Sequence, residues 1–251
     1  CRACVSRRSG VMLIYGIHPI AEALRTVSVS ELWISAGRNR RLEKLADTAR
    51  RAGVTVRRVE NSELDRLAHG GVHQGAVASV ATLAAWSVTE LVRNADGPAL
   101  LLVVDGVVDP QNFGALIRAA EAVGVNGVVY QTRRSSPASA AAMKASAGAL
   151  AHVPLAPVVN ISRAITELKT AGIWVVGLDA AGRRVYHDLD FNQPTALVVG
   201  SEETGLRRLV RDRCDWLVSI PMCGEISSLN VSVAAGVVLY EALRQRSDEL
   251  L

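Results

Sequence analysis

The sequence predicts an α/β fold in two parts, the larger part built on a parallel sheet, and three observations predict it. After residue 98, five near-continuous apolar runs, each the length of one strand, alternate with helical segments. That is the signature of a parallel sheet covered on both faces. Before residue 84, shorter helices and strands alternate in a compact unit, and the cluster Asn94-Ala95-Asp96-Gly97-Pro98 marks a turn-rich break between the two. With 251 residues, 49% apolar and 21% charged, the chain can bury a core, which excludes disorder and a disulfide scaffold. The apolar run 99–104 stops at Asp105, far short of the roughly 20 residues of a membrane helix, so no membrane span is expected.

In chain order, residues 1–11 read as a tail. Arg2, Arg7 and Arg8 ahead of Val11–Tyr15, with Ala21-Glu22-Ala23 beyond, mimic a secretory signal. The apolar run breaks at Gly16-Ile17-His18-Pro19, however, and a folded domain is expected from Met12. Pro19 in a first turn, with Ile20, Ala23 and Leu24 on one face, predicts a helix over 19–25. A strand at 31–35, an Arg-rich helix at 40–51, an alternating strand at 54–59, a polar helix near 62–67 and a strand at 75–80 complete a domain spanning 12–83. Residues 84–97 read as linker, and 98–251 as the second domain. There, strands are expected at 99–104, 127–131, 173–178, 195–199 and 216–220, and helices at 112–123, 137–150, 161–171, 206–211 and 231–246. Ligands of such sheets bind past the carboxyl ends of the strands, which singles out the loops after Val104, Val199 and Ile220.

Charge divides with the domains. Residues 1–96 hold 14 Lys+Arg against 9 Asp+Glu, a net +5, whereas residues 97–251 hold 14 against 15, a net −1. A basic module joined to a nearly neutral one suits a protein that grips a polyanion with one part and does chemistry with the other. Arg38, Arg40, Arg41, Arg50, Arg51, Arg57 and Arg58 are the candidate phosphate contacts. Cys1-x-x-Cys4 lacks a second closely spaced pair, and His69 and His73 flank two glycines, so no metal site is expected. Cysteine usage points to a reducing, cytoplasmic setting.

The first loop, 105–114, leaves a strand and opens a helix carrying Arg118; Asn112 is read as capping that helix. The second, Gly200-Ser201-Glu202-Glu203-Thr204-Gly205, sets an acidic pair between glycines that let backbone approach a ligand. It is no nucleotide fingerprint, since neither GxGxxG nor GxxxxGK[ST] occurs in the chain. The third, 220–234, passes from Ile220-Pro221-Met222 through Ser228 and Asn230 into a helix. Taken alone, the first and third loops read first as ordinary helix capping.

Together, Asn112-x-Gly114-x-x-x-Arg118, Gly200-x-Glu202-x-x-Gly205 and Ile220-Pro221-Met222 with Ser228-Leu229-Asn230-Val231-Ser232 resemble the three motifs of the SpoU (TrmH-like) family. These are RNA ribose 2′-O-methyltransferases of the SPOUT superfamily. Tyr15-Gly16-Ile17-His18-Pro19 through Val72-His73-Gln74-Gly75 is similar to the small substrate-binding domain of the branch that methylates a guanosine of 23S ribosomal RNA. The resemblance implies a parallel-sheet SPOUT fold with a carboxy-terminal trefoil knot, plus an L30e/L7Ae-like RNA-binding domain. It also implies S-adenosylmethionine as cofactor, held at Gly200, Ile220, Met222 and Leu229, and a homodimer whose pocket lies at the subunit interface. One departure is Glu203, where the family often has glycine; Cys223 is read as a small filler and not as a nucleophile.

The resemblance nominates Arg118 for activating the hydroxyl. A guanidinium stays protonated in proteins, so Arg118 is expected to stabilise a developing alkoxide and grip the adjacent phosphate. Glu202 is then the candidate proton acceptor, with Asn112, Asn230 and Ser228 as orienting groups. The alternatives are a transfer RNA or antibiotic-resistance ribosomal RNA methyltransferase, or an inactive knotted RNA-binding protein. The presence of all five polar site residues argues against the last.

Overall fold

A computed structural model describes residues 11–26, 29–37, 39–68, 71–81, 85–132, 142, 145–147, 149–225 and 228–247. The chain divides into two compact units, Cys1–Ala84 and Ala85–Leu251.

The amino-terminal unit runs β1 (Val11–Tyr15), α1 (Ile17–Thr26), β2 (Val29–Ser35), α2 (Arg40–Arg51), β3 (Thr55–Val59), α3 (Asn61–Leu67) and β4 (Ala76–Ala81). Its sheet has the order β1-β4-β2-β3, with β2 and β3 parallel and β4 antiparallel to both its neighbours. The short apolar run at Val11–Tyr15 is an edge strand, paired from Val11↔Ala81 to Tyr15↔Val77, so residue 11, expected in the tail, belongs to the sheet. α2 buries Leu42, Leu45, Ala46 and Ala49, the i, i+3, i+4, i+7 stripe of an amphipathic helix, and Asn39 caps it by accepting from the Arg41 N–H at 2.9 Å. That stripe meets Ile20, Leu32, Ile34, Ala76 and Ala78 in the core.

The second unit begins earlier than expected. Residues 84–97 are not a plain linker, because Val88–Arg93 forms helix α4 with a reciprocal Ser87/Glu90 capping box. Val88 and Leu91 are buried in the same core cluster as Leu101 and Val103. The signal was Ser-x-x-Glu ahead of apolar residues three and four apart, outweighed in the sequence by the turn cluster that follows it. β5 (Leu100–Val104), α5 (Pro110–Ala122), β6 (Gly127–Gln131), β7 (Leu155–Val158), α6 (Ile161–Thr170), β8 (Trp174–Leu178), β9 (Arg184–Val185), β10 (Thr195–Val199), α7 (Arg208–Arg211), β11 (Trp216–Ser219) and α8 (Val231–Arg246) follow. The helix expected over 137–150 lies largely outside the described residues. β7 escaped notice because Pro157 sits in it, which an edge strand tolerates.

The seven strands are ordered β7-β6-β5-β10-β8-β11-β9 and every pair is parallel. One face of the sheet packs on α4 and α6; α5 and α8 pack together on the other. All carboxyl ends therefore lie on one edge, and β10 sits directly beside β5 in register Val199↔Val104. At the far end of α8, Arg246 donates to the carbonyls of Phe191 (2.7 Å), Pro98 (2.6 Å), Ala99 (3.2 Å) and Gln193 (2.9 Å). Arg246→Ala strips four acceptors of a charged donor and is expected to destabilise the fold by about 2 to 4 kcal/mol, read from the urea midpoint.

Candidate active site

The three loops meet. After β5, the Asp105 N–H donates to the Val199 carbonyl at 2.8 Å, and Gly106 turns the chain at φ +78°. Asp109, not Asn112, caps α5: its carboxylate accepts from the Gln111 and Asn112 N–H groups at 3.2 and 3.1 Å, and Pro110 takes the first helical position. This corrects the expected cap and has a consequence for chemistry. Asn112, one turn in, keeps its side chain free to reach outward.

After β10, Ser201 and Gly205 pair across a closed turn (N–H···O 2.8 and 3.2 Å), with Gly205 at φ +63°. A Cβ on Gly200 would lie 2.1 Å from the Gly205 carbonyl carbon and 2.4 Å from the Leu206 nitrogen. The glycine thus serves first the closure of its own loop, which presents Glu202 at the tip. After β11, Asn230 caps α8, its Oδ1 accepting from the Ser232 N–H (3.0 Å) and Oγ–H (2.6 Å).

The side chains then close on one another. Asn112 Nδ2 donates to Glu202 Oε2 at 2.7 Å; Asn230 Nδ2 donates to Glu202 Oε1 at 2.7 Å and to Asn112 Oδ1 at 2.9 Å. Residues 90 and 118 positions apart in sequence form one polar junction. Capping and site roles are not alternatives for Asn230, since its oxygen caps while its nitrogen joins the junction. Asn112→Asp would set a second carboxylate against Glu202 and is expected to cost about 1 to 3 kcal/mol at neutral pH. Thermal melts should show part of that loss recovered in mild acid, where one carboxyl is protonated.

A second tie lies beneath. The Asp105 side chain is fully buried and accepts from the Arg207 main-chain N–H (3.1 Å), from Nε–H (2.7 Å) and from the Nη2 group. It fastens the first loop to the segment leaving the second. Neither residue was assigned from sequence; the available signal was an aspartate ending a five-residue apolar strand, where an unpaired carboxylate would be costly.

Two expected site residues stand outside the junction. Arg118 is exposed on α5, about 9 Å further along the helix axis than Asn112 and roughly 120° around it. Among the described residues its guanidinium has no hydrogen-bond or ion-pair partner, and neither has the exposed Ser228 hydroxyl. Met222 and Leu229, 39% and 38% exposed, are apolar side chains in the third loop, with Ile220 half-buried at its start. Cys223 is exposed in the same loop, whereas burial, helped by Asp215, pushes the Cys214 thiol up to about 12. In the amino-terminal unit, Arg57 pairs with Glu31, and Arg58 grips both Glu43 oxygens at 2.6 and 2.7 Å. The exposed Arg40 and Arg41 guanidinia have no such partner among the described residues. Arg38 lies outside the described residues.

Residues 99–240 match the SpoU rRNA Methylase family, and residues 13–86 match RNA 2′-O ribose methyltransferase substrate binding. The chain belongs to the SpoU rRNA methylase family. It is 42% identical over 240 residues to the 23S rRNA (guanosine-2′-O-)-methyltransferase RlmB of Pseudomonas syringae pv. tomato, spanning 93% of this chain and 96% of that protein. The enzyme of the same name from Xylella fastidiosa is 43% identical over 240 residues, with the same coverage. Among solved structures, the SpoU methyltransferase AviRb from Streptomyces viridochromogenes matches with a TM-score of 0.66 at 29% identity, covering 94% of this chain and 90% of that one. AviRb in complex with AdoMet matches at 0.65 and 29%, covering 96% and 95%. The parallel seven-stranded sheet is thus similar to that of SpoU methyltransferases.

Proposed function

We propose that this SpoU-family chain transfers a methyl group from S-adenosylmethionine to the ribose 2′-hydroxyl of a guanosine in large-subunit ribosomal RNA. The observation that carries the reading is the Asn112–Glu202–Asn230 junction, which gathers three strand-end loops at the ligand-binding edge of a parallel sheet. The names of the relatives support the substrate. The third loop suits the cofactor: Met222 and Leu229 offer apolar surface to a purine, and exposed main chain from Pro221 to Glu225 offers donors and acceptors to its edge. Gly200 and Ile220 would complete that cradle.

S-adenosylmethionine, when bound, supplies a methyl group already activated on a sulfonium. The chain's own task is to align the hydroxyl with it, and such alignment can lower a barrier by about 7 to 11 kcal/mol. Arg118 grips the adjacent phosphate and stabilises the developing alkoxide. Glu202, its oxygens oriented by the two asparagine amides, takes the proton, and Ser228 steadies the ribose.

The same reading includes a carboxy-terminal trefoil knot, supported by β10 lying between β5 and β8 while β11 lies beyond them, and an L30e/L7Ae-like character for the amino-terminal unit. It includes a homodimer formed through the catalytic unit, supported by Val233 and Tyr240, both about half exposed two turns apart on α8. The enzyme would act in the cytoplasm, where its ribosomal substrate is.

Labelled S-adenosylmethionine with deproteinised ribosomal RNA, followed by mapping of the modified ribose, tests the function; no transfer, or transfer to a base, refutes it. A second readout needs no turnover. Under a maleimide, Cys223 is expected to label and Cys214 to resist, and S-adenosylmethionine should protect Cys223. Equal labelling of Cys223 with and without cofactor would remove the third loop from the cofactor site.

A further inference from the structure

Among the described residues, asparagines at 39, 160 and 230 cap the starts of helices, and the last is held more firmly than a cap requires. Asn39 accepts from the Arg41 main-chain N–H at 2.9 Å, and Asn160 from that of Arg163 at 3.1 Å. Neither has a side-chain donor besides, among the described residues. Asn230 Oδ1 accepts from the Ser232 N–H at 3.0 Å and again from the Ser232 hydroxyl at 2.6 Å. The main-chain bond is what a cap supplies. The hydroxyl bond therefore serves something other than the start of α8.

A count of donors and acceptors says what. An asparagine amide has two N–H groups to donate and two lone pairs to accept with. In Asn230 all of these are in use, since Oδ1 takes both Ser232 donors while Nδ2 donates to Glu202 Oε1 at 2.7 Å and to Asn112 Oδ1 at 2.9 Å. Its amide has nothing left with which to bind a substrate. Asn112 differs: it gives one Nδ2 hydrogen to Glu202 Oε2 at 2.7 Å, and among the described residues the other has no acceptor. Each Glu202 oxygen likewise takes one amide donor and keeps lone pairs to spare, on an exposed side chain. The unfilled capacity of the junction is thus an N–H beside a carboxylate. Such a pair fits a hydroxyl, which accepts from the one and donates to the other. Where the pair points depends on the Asn230 amide. Turned over, its oxygen would face the Glu202 and Asn112 oxygens and its nitrogen the Ser232 N–H, so one orientation alone satisfies every group. Smaller swings of the amide are what the Ser232 hydroxyl opposes.

We infer that Ser232 is a positioning residue for methyl transfer: its hydroxyl pins the Asn230 amide, and the pinned amide aims the free Asn112 N–H and the free Glu202 lone pairs at one ribose hydroxyl. The inference rests on the proposed function and deepens it, because it divides the junction into a residue that orients, Asn230, and two that touch the substrate, Asn112 and Glu202. Alignment is the chain's main contribution to such a transfer, so a loosened amide costs rate even where the fold is intact.

The test measures methyl transfer to deproteinised ribosomal RNA by the full chain and its variants. Ser232→Ala keeps the main-chain cap and removes only the hydroxyl bond. It is expected to melt with the wild type and to hold KM for S-adenosylmethionine while kcat falls about two- to tenfold, the worth of one hydrogen bond carried into the barrier. Ser232→Thr returns the hydroxyl and should return kcat. Asn230→Ser keeps a side-chain oxygen for the cap but deletes both amide donors, and should lower kcat by about tenfold or more. A readout without turnover is the proton–nitrogen correlation spectrum, in which the side-chain amide signals of Asn112 and Asn230 should shift or broaden in Ser232→Ala and keep their wild-type positions in Ser232→Thr. Wild-type transfer with undiminished kcat in Ser232→Ala overturns the inference alone. So does a loss that Ser232→Thr does not recover, or one matched by a fall in melting temperature. No transfer by the wild type sinks the proposed function, and the amide signals then decide the pin by themselves: unchanged in Ser232→Ala, they overturn it, and displaced, they leave it standing.

Discussion

Arg118→Ala is expected to lower methyl transfer by roughly 10² to 10³, the size of effect seen when a donor to developing negative charge is removed. Cofactor protection of Cys223 and the melting temperature should not change, because Arg118 is exposed and its guanidinium has no hydrogen-bond or ion-pair partner among the described residues. Its position sharpens the prediction. Within one chain it points away from the Asn112–Glu202–Asn230 junction, about 9 Å along α5 and on a different face. If a homodimer forms through the catalytic unit, Arg118 of one subunit can serve the junction of the other. Mixed Arg118→Ala and Glu202→Ala chains, each inactive alone, should then regain roughly a quarter of wild-type activity, since half the dimers are mixed and each has one intact site. No recovery on mixing would confine each site to a single chain. Turnover undiminished in Arg118→Ala would remove the residue from the mechanism.

Asp105→Ala should produce the largest loss of stability. The carboxylate is fully buried beneath the junction and takes three hydrogen bonds from Arg207, whose side chain is itself only 37% exposed. Removing one member of such a pair leaves the other charge without compensation, at a cost of about 3 to 5 kcal/mol. Activity should fall with stability, because the same contact joins the loop bearing Asn112 to the segment that follows Glu202. Asp105→Asn separates the two effects. It keeps the volume and one acceptor for the Arg207 N–H, so it should recover much of the stability while kcat stays depressed. A fully stable and fully active Asp105→Ala protein would show that the loops hold their places without the pair.

Much of this architecture was legible in residue order. Apolar runs one strand long marked β5, β6, β8, β10 and β11, because a strand buried on both faces leaves no room for polar alternation. The errors fell where local signals competed. The helix at Val88–Arg93 was hidden by the Asn94–Pro98 turn, the strand at Leu155–Val158 by its proline, and the cap of α5 by an asparagine three positions beyond the true cap, Asp109.

The order of the residues was enough to establish the α/β class, the edge of the sheet where chemistry belongs and the polar residues on its loops, since periodicity and turn chemistry act over a few positions. Which of those residues touch was decided only by folding. Asn112, Glu202 and Asn230 meet because β10 is inserted beside β5. Asp105 found Arg207 102 positions away, and among the described residues the Arg40 guanidinium has no acidic partner of the kind that Arg57 and Arg58 acquired. Hydrogen bonds and ion pairs need groups within about 3 Å of each other, and no local pattern encodes a distance between segments that only strand order brings together.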